Sequence, residues 1–346
     1  MIFLKLYEYS IRRIFLLIFV LLGVTILTFY LSRIVLNPLG AYVTERTRPE
    51  AIPAIEKRLG LDKPFYIQYI IYLQDLVTFN WGWSRVAHMP VIEALFYRFP
   101  ATVELAIASF IIIILVGVPL GIISALKNNS VVDHAIRIFS LTGISIPVFW
   151  LALTLQYSFS YLPKVAGLPS LPSNGRVDAL LYQQYPVNRI TGLMIFDSLI
   201  QGNFIIASDA LLHLILPAMT LAFLSIGAVT RVARSSMLEV LRQDYISTAR
   251  AYGLPERMVI YKYALKNAMI PVTTLSGLLF GGLLAGAIIT ESIFAFPGMG
   301  QLTVFAISSN DSYTIMAFTV LASFIYVLIN LLVDIVYAKL DPRIKY

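Results

Sequence analysis

The sequence predicts an all-α integral membrane fold: six membrane-spanning helices joined by loops, with a short helical elbow standing off one face. Three observations carry that prediction. Mean hydropathy is +0.80, and 58% of the 346 residues are hydrophobic while 13% are charged, where a soluble domain carries roughly 25% charge. Six apolar runs reach the ~20 residues a helix needs to cross a bilayer. The basic residues collect on one side of those runs, as topology demands.

The runs fall at about 14–36, 101–126, 135–161, 210–230, 269–294 and 313–338, each long enough for a span. The first follows Arg12 and Arg13. It exceeds the ~7–15-residue core of a signal peptide and lacks a small-x-small exit, so it reads as a retained anchor. The second contains Gly117-Val-Pro119-Leu-Gly121, where small residues admit a neighbouring helix and the proline removes a backbone hydrogen bond and kinks the helix. The third and fourth follow without internal charge clusters. The stretch 190–206 holds Asp197, Gln201 and Asn203, and it is too short and too polar to span, so it lies on the surface or packs laterally. In the fifth run, Gly277 with Gly281 and Gly282 with Gly286 form two small-xxx-small pairs, suited to close packing within the chain or against another.

Orientation follows from the charges. Lys5, Arg12 and Arg13, then Lys127 and Arg137, then the cluster from Arg231 to Lys266, then Lys339, Arg343 and Lys345 share one side, which the positive-inside rule makes cytoplasmic, both termini included. On the other side, segment 37–100 sets seven basic residues against six acidic ones. Trp81 and Trp83, flanking Gly82, suit an interfacial belt there. The net charge of +7 is thereby explained by topology, and no basic run is long enough for a nucleic-acid surface.

Catalytic patterns are missing. The chain has no cysteine, which excludes disulfides, thiolate metal sites and cysteine catalysis. His88, His134 and His213 are scattered, without metal-ligand spacing, and neither an acyl-transfer serine elbow nor a phosphate-cradling GxxxxGK[ST] loop occurs. If a nucleotide powers this protein, another chain hydrolyses it. Three acidic residues sit inside the runs, where charge is costly: Glu104 near the outer start of the second, Glu291 near the outer end of the fifth, and Asp334 near the inner end of the sixth. Each lies within snorkelling reach of water, and pairing or capping is the ordinary role. Glu104 and Glu291 are also the candidates for lining a solute path.

The most informative segment is the polar insert Asp244–Arg257. Gly253 can end one short helix at positive φ, and Leu254-Pro255-Glu256 starts a second with a proline and an acid in its first turn. A loop that only reversed direction could be far shorter, so this elbow reads as a docking element exposed on the cytoplasmic side.

The stretch from Leu241 to Arg257, continuing through Ala264 to Pro271, closely resembles the EAA-type loop of permease subunits of ATP-binding-cassette importers, in the dipeptide/oligopeptide branch. The likeness runs along nearly the whole chain. It includes Tyr9 to Arg13, Leu59-Gly-Leu-Asp-Lys-Pro-Phe-Tyr66, Arg98-Phe-Pro-Ala-Thr-Val-Glu-Leu105, Gly143-Ile-Ser-Ile-Pro-Val-Phe-Trp150, Thr290-Glu-Ser-Ile-Phe294, Pro297-Gly-Met-Gly300 and Leu340-Asp-Pro-Arg343. The general motif's glutamate and first alanine are here Ser247 and Thr248, which removes any salt bridge assigned to that acid.

The resemblance implies a type I importer permease divided into three parts: 1–36, a cytoplasmic tail and first span; 37–100, an extracellular segment; and 101–346, a core of five spans with a coupling helix at about 243–257. It implies that Ser247, Thr248, Ala249, Arg250, Ala251, Tyr252, Gly253, Leu254, Glu256 and Arg257 couple the chain to ATPases. The expected partners are a second permease, two ATPase subunits, an extracellular solute-binding protein and the lipid bilayer of the cell membrane. No cofactor is expected in this chain, since ATP and magnesium belong to the ATPases. The branch points to di- or oligopeptides, with oligosaccharides and nickel complexes as alternatives, and a stand-alone channel or secondary carrier is the reading from another class.

Overall fold

The structure, a computed structural model, describes residues 2–34, 39, 43, 47–58 and 60–340, with side chains from residue 15 to residue 335 except at 34. Leu59, the closing Asp341-Pro-Arg343, the division between residues 36 and 37, and the side chains of Lys5, Arg12, Arg13 and Lys339 lie outside the described residues.

Helix α1 spans Ile2–Ile34. After it come α2 (Ile52–Arg58), α3 (Phe65–Val77) and a two-residue antiparallel pair, β1 (Trp83–Ser84) with β2 (Met89–Pro90), in which Trp83 faces Pro90. Helix α4 then runs Val91–Leu126, α5 Val131–Ser145 and α6 Val148–Gln156, the last continuing through a π-helical turn, Tyr157–Tyr161, into α7 (Leu162–Val165). Two short helices, α8 (Ala179–Gln184) and α9 (Met194–Ile200), precede α10 (Phe204–Leu241). The elbow is α11 (Asp244–Ala251) and α12 (Glu256–Met258), which passes through a π segment, Val259–Ala264, into α13 (Leu265–Leu284). Helices α14 (Ile288–Ile293), α15 (Met299–Ser308) and α16 (Ser312–Leu340) complete the described chain.

Among the described residues, five helical stretches are long and apolar enough to cross a membrane, and a bent pair brings the number to six when it is counted as one span. That pair occupies the third apolar run, 135–161, and breaks it in two. The axes of Val131–Ser145 and Val148–Val165 differ by 103°, because Pro147 disfavours the helical region at the residue before it and Ile146 is accordingly extended at ψ 128°. The second span is longer than expected, since α4 begins ten residues before Ala101 and carries Pro100 inside it. The fifth is displaced: α13 ends at Leu284, Gly286 turns at φ +120°, and Ile288–Ile293 is a separate helix.

Helix α10 is the central post, packed against α4 and α13 through Ile113, Ala222, Ile226, Val229 and Val272, and against α5 where Gly227 meets the Ser140 carbonyl and Gly143 meets the Phe223 carbonyl. The helices meet at small residues. A Cβ added at Gly121 would lie 2.5 Å from the Ala233 Cβ and 2.7 Å from the Thr230 carbonyl, so the glycine spacing in the second span serves approach to α10. Gly277 and Gly281 face Val333 and Ile329 of α16, which makes that pair an intrachain contact, while nothing lies within 4 Å of a Cβ at Gly282.

The stretch 190–206 is a laterally packed cap, as its polarity requires. Asp197 accepts hydrogen bonds from the backbone N–H of Ile190, Thr191 and Gly192 and from the Thr191 hydroxyl, at 2.6–3.1 Å. Burial works against its charge, yet those donors outweigh burial and hold the carboxyl below the usual carboxylate range. The Asn203 side chain caps α10 by accepting from Ile206 N–H at 3.1 Å.

Candidate functional site: the elbow and its supports

Helix α11 is amphipathic in a way that separates anchoring from display. Ile246 and Ala249, three apart on one face, are buried with Met237 of α10, Val259 and Ala264 of the π segment, and Ala268 of α13. Ser247, Thr248, Arg250, Ala251 and Tyr252 face outward, as do Gly253, Glu256 and Arg257. Leu254 is half-buried against the anchoring cluster. Of the ten residues expected to couple, Ala249 and Leu254 therefore hold the elbow, and the other eight form its exposed surface, with Tyr252 82% exposed.

The bend itself is a Schellman closure. Gly253 N–H bonds the Arg250 carbonyl at 2.9 Å and Leu254 N–H bonds the Ala249 carbonyl at 3.4 Å, with Gly253 at φ +74°. Pro255 is the N-cap of α12 and Glu256 its first residue, one position off the sequence expectation of proline inside the first turn. Across the bend, Arg250 grips Glu256 with both Nε (3.2 Å) and Nη2 (2.7 Å), and this contact raises the guanidinium pKa. Asn267 Nδ2 donates to the Tyr245 hydroxyl at 2.7 Å, tying α11 to α13.

Behind the elbow sits a clamp that sequence reasoning missed. Asp133, fully buried, accepts from Arg234 Nε and Nη2 at 2.8 Å each, from Ser124 Oγ at 2.5 Å and from Asn129 N–H at 2.9 Å. It joins α4, α5 and α10 at one point. Arg234 was readable only as a topological charge, and Arg137 lies 3.7 Å from the same carboxylate. The available signal was Ser130-x-x-Asp133 ahead of an apolar run, a capping-box pattern; Ser130 Oγ does accept from Asp133 N–H, at 3.3 Å.

At the opposite end of the bundle Glu104 and Glu291 are both buried, which corrects the expectation that snorkelling brings them to water. Glu104 pairs with Arg176 through Nε (2.8 Å) and Nη2 (2.5 Å) and accepts from Ile195 N–H at 2.8 Å. Glu291 caps α15, accepting from Gln301 N–H at 3.0 Å and from Thr102 Oγ1 at 2.9 Å. A Cβ at Gly300 would lie 2.7 Å from Ile288 Cα and 2.9 Å from Glu291 Oε2, so the Pro297-Gly-Met-Gly300 turn is shaped around that carboxylate. Nearby, Asp311 Oδ2 accepts from Ser84 Oγ (3.0 Å), Arg85 N–H (2.7 Å) and Thr314 Oγ1 (2.8 Å), fastening the β1–β2 pair to the start of α16. Trp81 is half-buried and donates from Nε1 to the Leu76 carbonyl at 3.1 Å, while Trp83 is exposed. Among the described residues no group of His, Asp and Glu could hold a metal ion.

Comparison with known proteins gives a consistent picture. Residues 117–346 match the family described as binding-protein-dependent transport system inner membrane component, and residues 6–106 match its N-terminal membrane component. A dipeptide transport system permease protein of Alkalihalophilus pseudofirmus is 43% identical over 339 residues, covering 98% of this chain and 99% of the relative. A probable D,D-dipeptide transport system permease protein of Escherichia coli is 44% identical over 329 residues, covering 95% and 94%. An oligopeptide transport system permease protein of Bacillus subtilis is 36% identical over 340 residues, covering 98% and 99%. Among solved structures, an inward-facing MetNI methionine ABC transporter aligns with TM-score 0.49 at 14% identity, covering 73% of this chain and 98% of that one.

Proposed function

The chain belongs to the family of binding-protein-dependent transport system inner membrane components, and from that premise we propose that it forms, with a second permease, the path for di- or oligopeptides. The relatives described above are named for dipeptide or oligopeptide transport, which favours peptides over oligosaccharides or nickel complexes. An extracellular binding protein delivers the solute. Two ATPase subunits, which carry the ATP and magnesium, drive its passage.

The observation that carries this reading is the elbow. Its buried face is fixed by apolar contacts and its exposed face by backbone closure and an ion pair, so a displacement there reaches α10 and α13 without being lost in a loose loop. Ser247, Thr248, Arg250, Ala251, Tyr252, Glu256 and Arg257 form the surface an ATPase groove would seat, on the cytoplasmic side. The charge distribution supports that orientation, and it leaves segment 37–100 to meet the binding protein. Glu104 and Glu291 act here as fasteners of the outer end: a path-lining role would require their present partners to be released.

Copurification tests the proposal. The chain expressed in its native membrane and extracted in mild detergent retains an ATPase and a second permease. Deleting its gene abolishes uptake of a labelled dipeptide, and an excess of unlabelled tripeptide, but not of maltotriose, competes in wild-type cells. Dipeptide uptake by the chain alone in liposomes, without nucleotide, overturns it in favour of a carrier.

A further inference from the structure

A cavity of about 690 Å³ lies at the end of the bundle opposite the elbow, between the spans and the helices that follow α1. Most of its lining comes from segment 37–100, and meeting a binding protein there does not call for an internal cavity. It is walled by the last turn of α1, through Arg33, and by the first turns of α16. Both are ends of spans, so the cavity sits at the level of the lipid headgroups.

Charge and unmet polarity define what it accepts. Arg33, Lys57, Arg58 and Lys63 line it against Asp75 as the single acid. Arg33 Nε is buried without a hydrogen-bond partner, and a buried donor of that kind calls for an anionic oxygen. Gln68 is 7% exposed, and its Nε2 donates to the carbonyls of Leu61 (3.1 Å) and Lys63 (2.7 Å). That fixes the amide, yet its Oε1 has no partner. An unmet acceptor and an unmet cationic donor on residues that line one cavity fit a ligand that carries a phosphate and a hydroxyl together.

The surroundings are apolar. Helix α3 lies along α1, with the Tyr69 and Tyr72 hydroxyls 2.9 Å and 3.4 Å from those of Thr25 and Thr28, within the outer half of the span. One face of α3 lines the cavity, and the other exposes Tyr66, Ile70 and Val77 in a helical stripe. Leu27, Tyr30 and Leu31 of α1 are exposed at the same depth. A helix with a polar cavity behind it and an unpartnered apolar stripe in front suits the bilayer interface.

We propose that this cavity binds the phosphate headgroup of an anionic, hydroxyl-bearing phospholipid in the leaflet opposite the elbow, the acyl chains lying against α1 and α3. The probe is phosphatidylglycerol. The full-length chain, purified with the subunits that accompany it, is incubated with equal phosphatidylglycerol and phosphatidylcholine, and the retained lipid is counted by native mass spectrometry. Wild type retains phosphatidylglycerol in preference. Lys57→Ser, Arg58→Ser and Lys63→Ser are exposed rim changes that spare the packed interior, and each lowers retention roughly fivefold. Gln68→Leu erases the preference for phosphatidylglycerol over phosphatidic acid, which offers phosphate without the glycerol hydroxyls. Equal retention of the two lipids by wild type, or undiminished phosphatidylglycerol when the three rim changes are combined in one chain, overturns the proposal. Displacement of the lipid by millimolar inorganic phosphate overturns the lipid as occupant and assigns the cavity to free phosphate.

Discussion

Gly253 holds φ +74° in a place where a Cβ would meet nothing within 4 Å. The demand for glycine there is therefore one of backbone conformation alone, costing a β-branched residue about 1–2 kcal/mol, too little to unfold the bundle. Asp133 is the opposite case. Its buried pair with Arg234 joins three helices, and Asp133→Ala leaves the guanidinium uncompensated, a loss of ~3–5 kcal/mol. Asp133→Ala is expected to lower the detergent melting temperature sharply, and adding Arg234→Ala to restore part of it; a double-mutant cycle checks this, and simple additivity would contradict the clamp. Asp197 is predicted to show the acid dependence of a lowered carboxylate. Because its folded pKa lies below the unfolded one, its stabilisation is complete above the ordinary aspartate range and is lost as pH falls through the folded value. The gap in melting temperature between wild type and Asp197→Asn therefore closes in acid, measured across a pH series. None of the clamp's geometry was legible in the sequence beyond one capping-box pattern, because Asp133 and Arg234 are 101 residues apart and only the crossing of α5 and α10 brings them together.

At the scale of elements, composition and periodicity located the apolar runs, and local backbone rules decided where they break. Pro147 was visible, yet it reads equally as a kink or a break until Ile146 is seen extended. Pro100 does not break α4: it is the tenth residue of a helix that starts at Val91, and the Phe96 carbonyl that its missing N–H would have bonded accepts from Arg189 Nη2 at 3.5 Å instead. The elbow was the most legible element, since Gly253, Pro255 and Glu256 each signal a helix end by their own chemistry. What remained hidden was its anchoring, because Ile246 and Ala249 in isolation are two small apolar points on a polar helix. Ile246→Asp is accordingly expected to detach α11 while leaving the spans intact. Limited proteolysis should then cut near residue 250 at a rate well above wild type, with the melting temperature lowered only slightly, and unchanged protection would contradict the anchoring role.

At the scale of the molecule, α10 is a shared post: α4 and α5 join it to the clamp, and α11 and α13 join it to the elbow. The opposite end is fastened separately by Glu104–Arg176, by Glu291 over the Pro297–Gly300 turn, and by Asp311. Two separately fastened ends on one stiff post are what alternating access needs, provided the ATP-bound motor favours one arrangement over the other. Sidedness is testable because the chain has no cysteine. A single Lys127→Cys, exposed at the end of α4 and outside the elbow surface, should react in intact cells with a membrane-permeant maleimide and not with an impermeant one, whereas Trp83→Cys should react with both.

The most direct test of the coupling claim is ATP-driven dipeptide uptake by proteoliposomes holding the whole complex with either wild-type chain or Gly253→Val. The variant is predicted to assemble with its ATPases and to remain folded, yet to import at a small fraction of the wild-type rate. Full uptake with Gly253→Val in place would contradict transmission through the elbow.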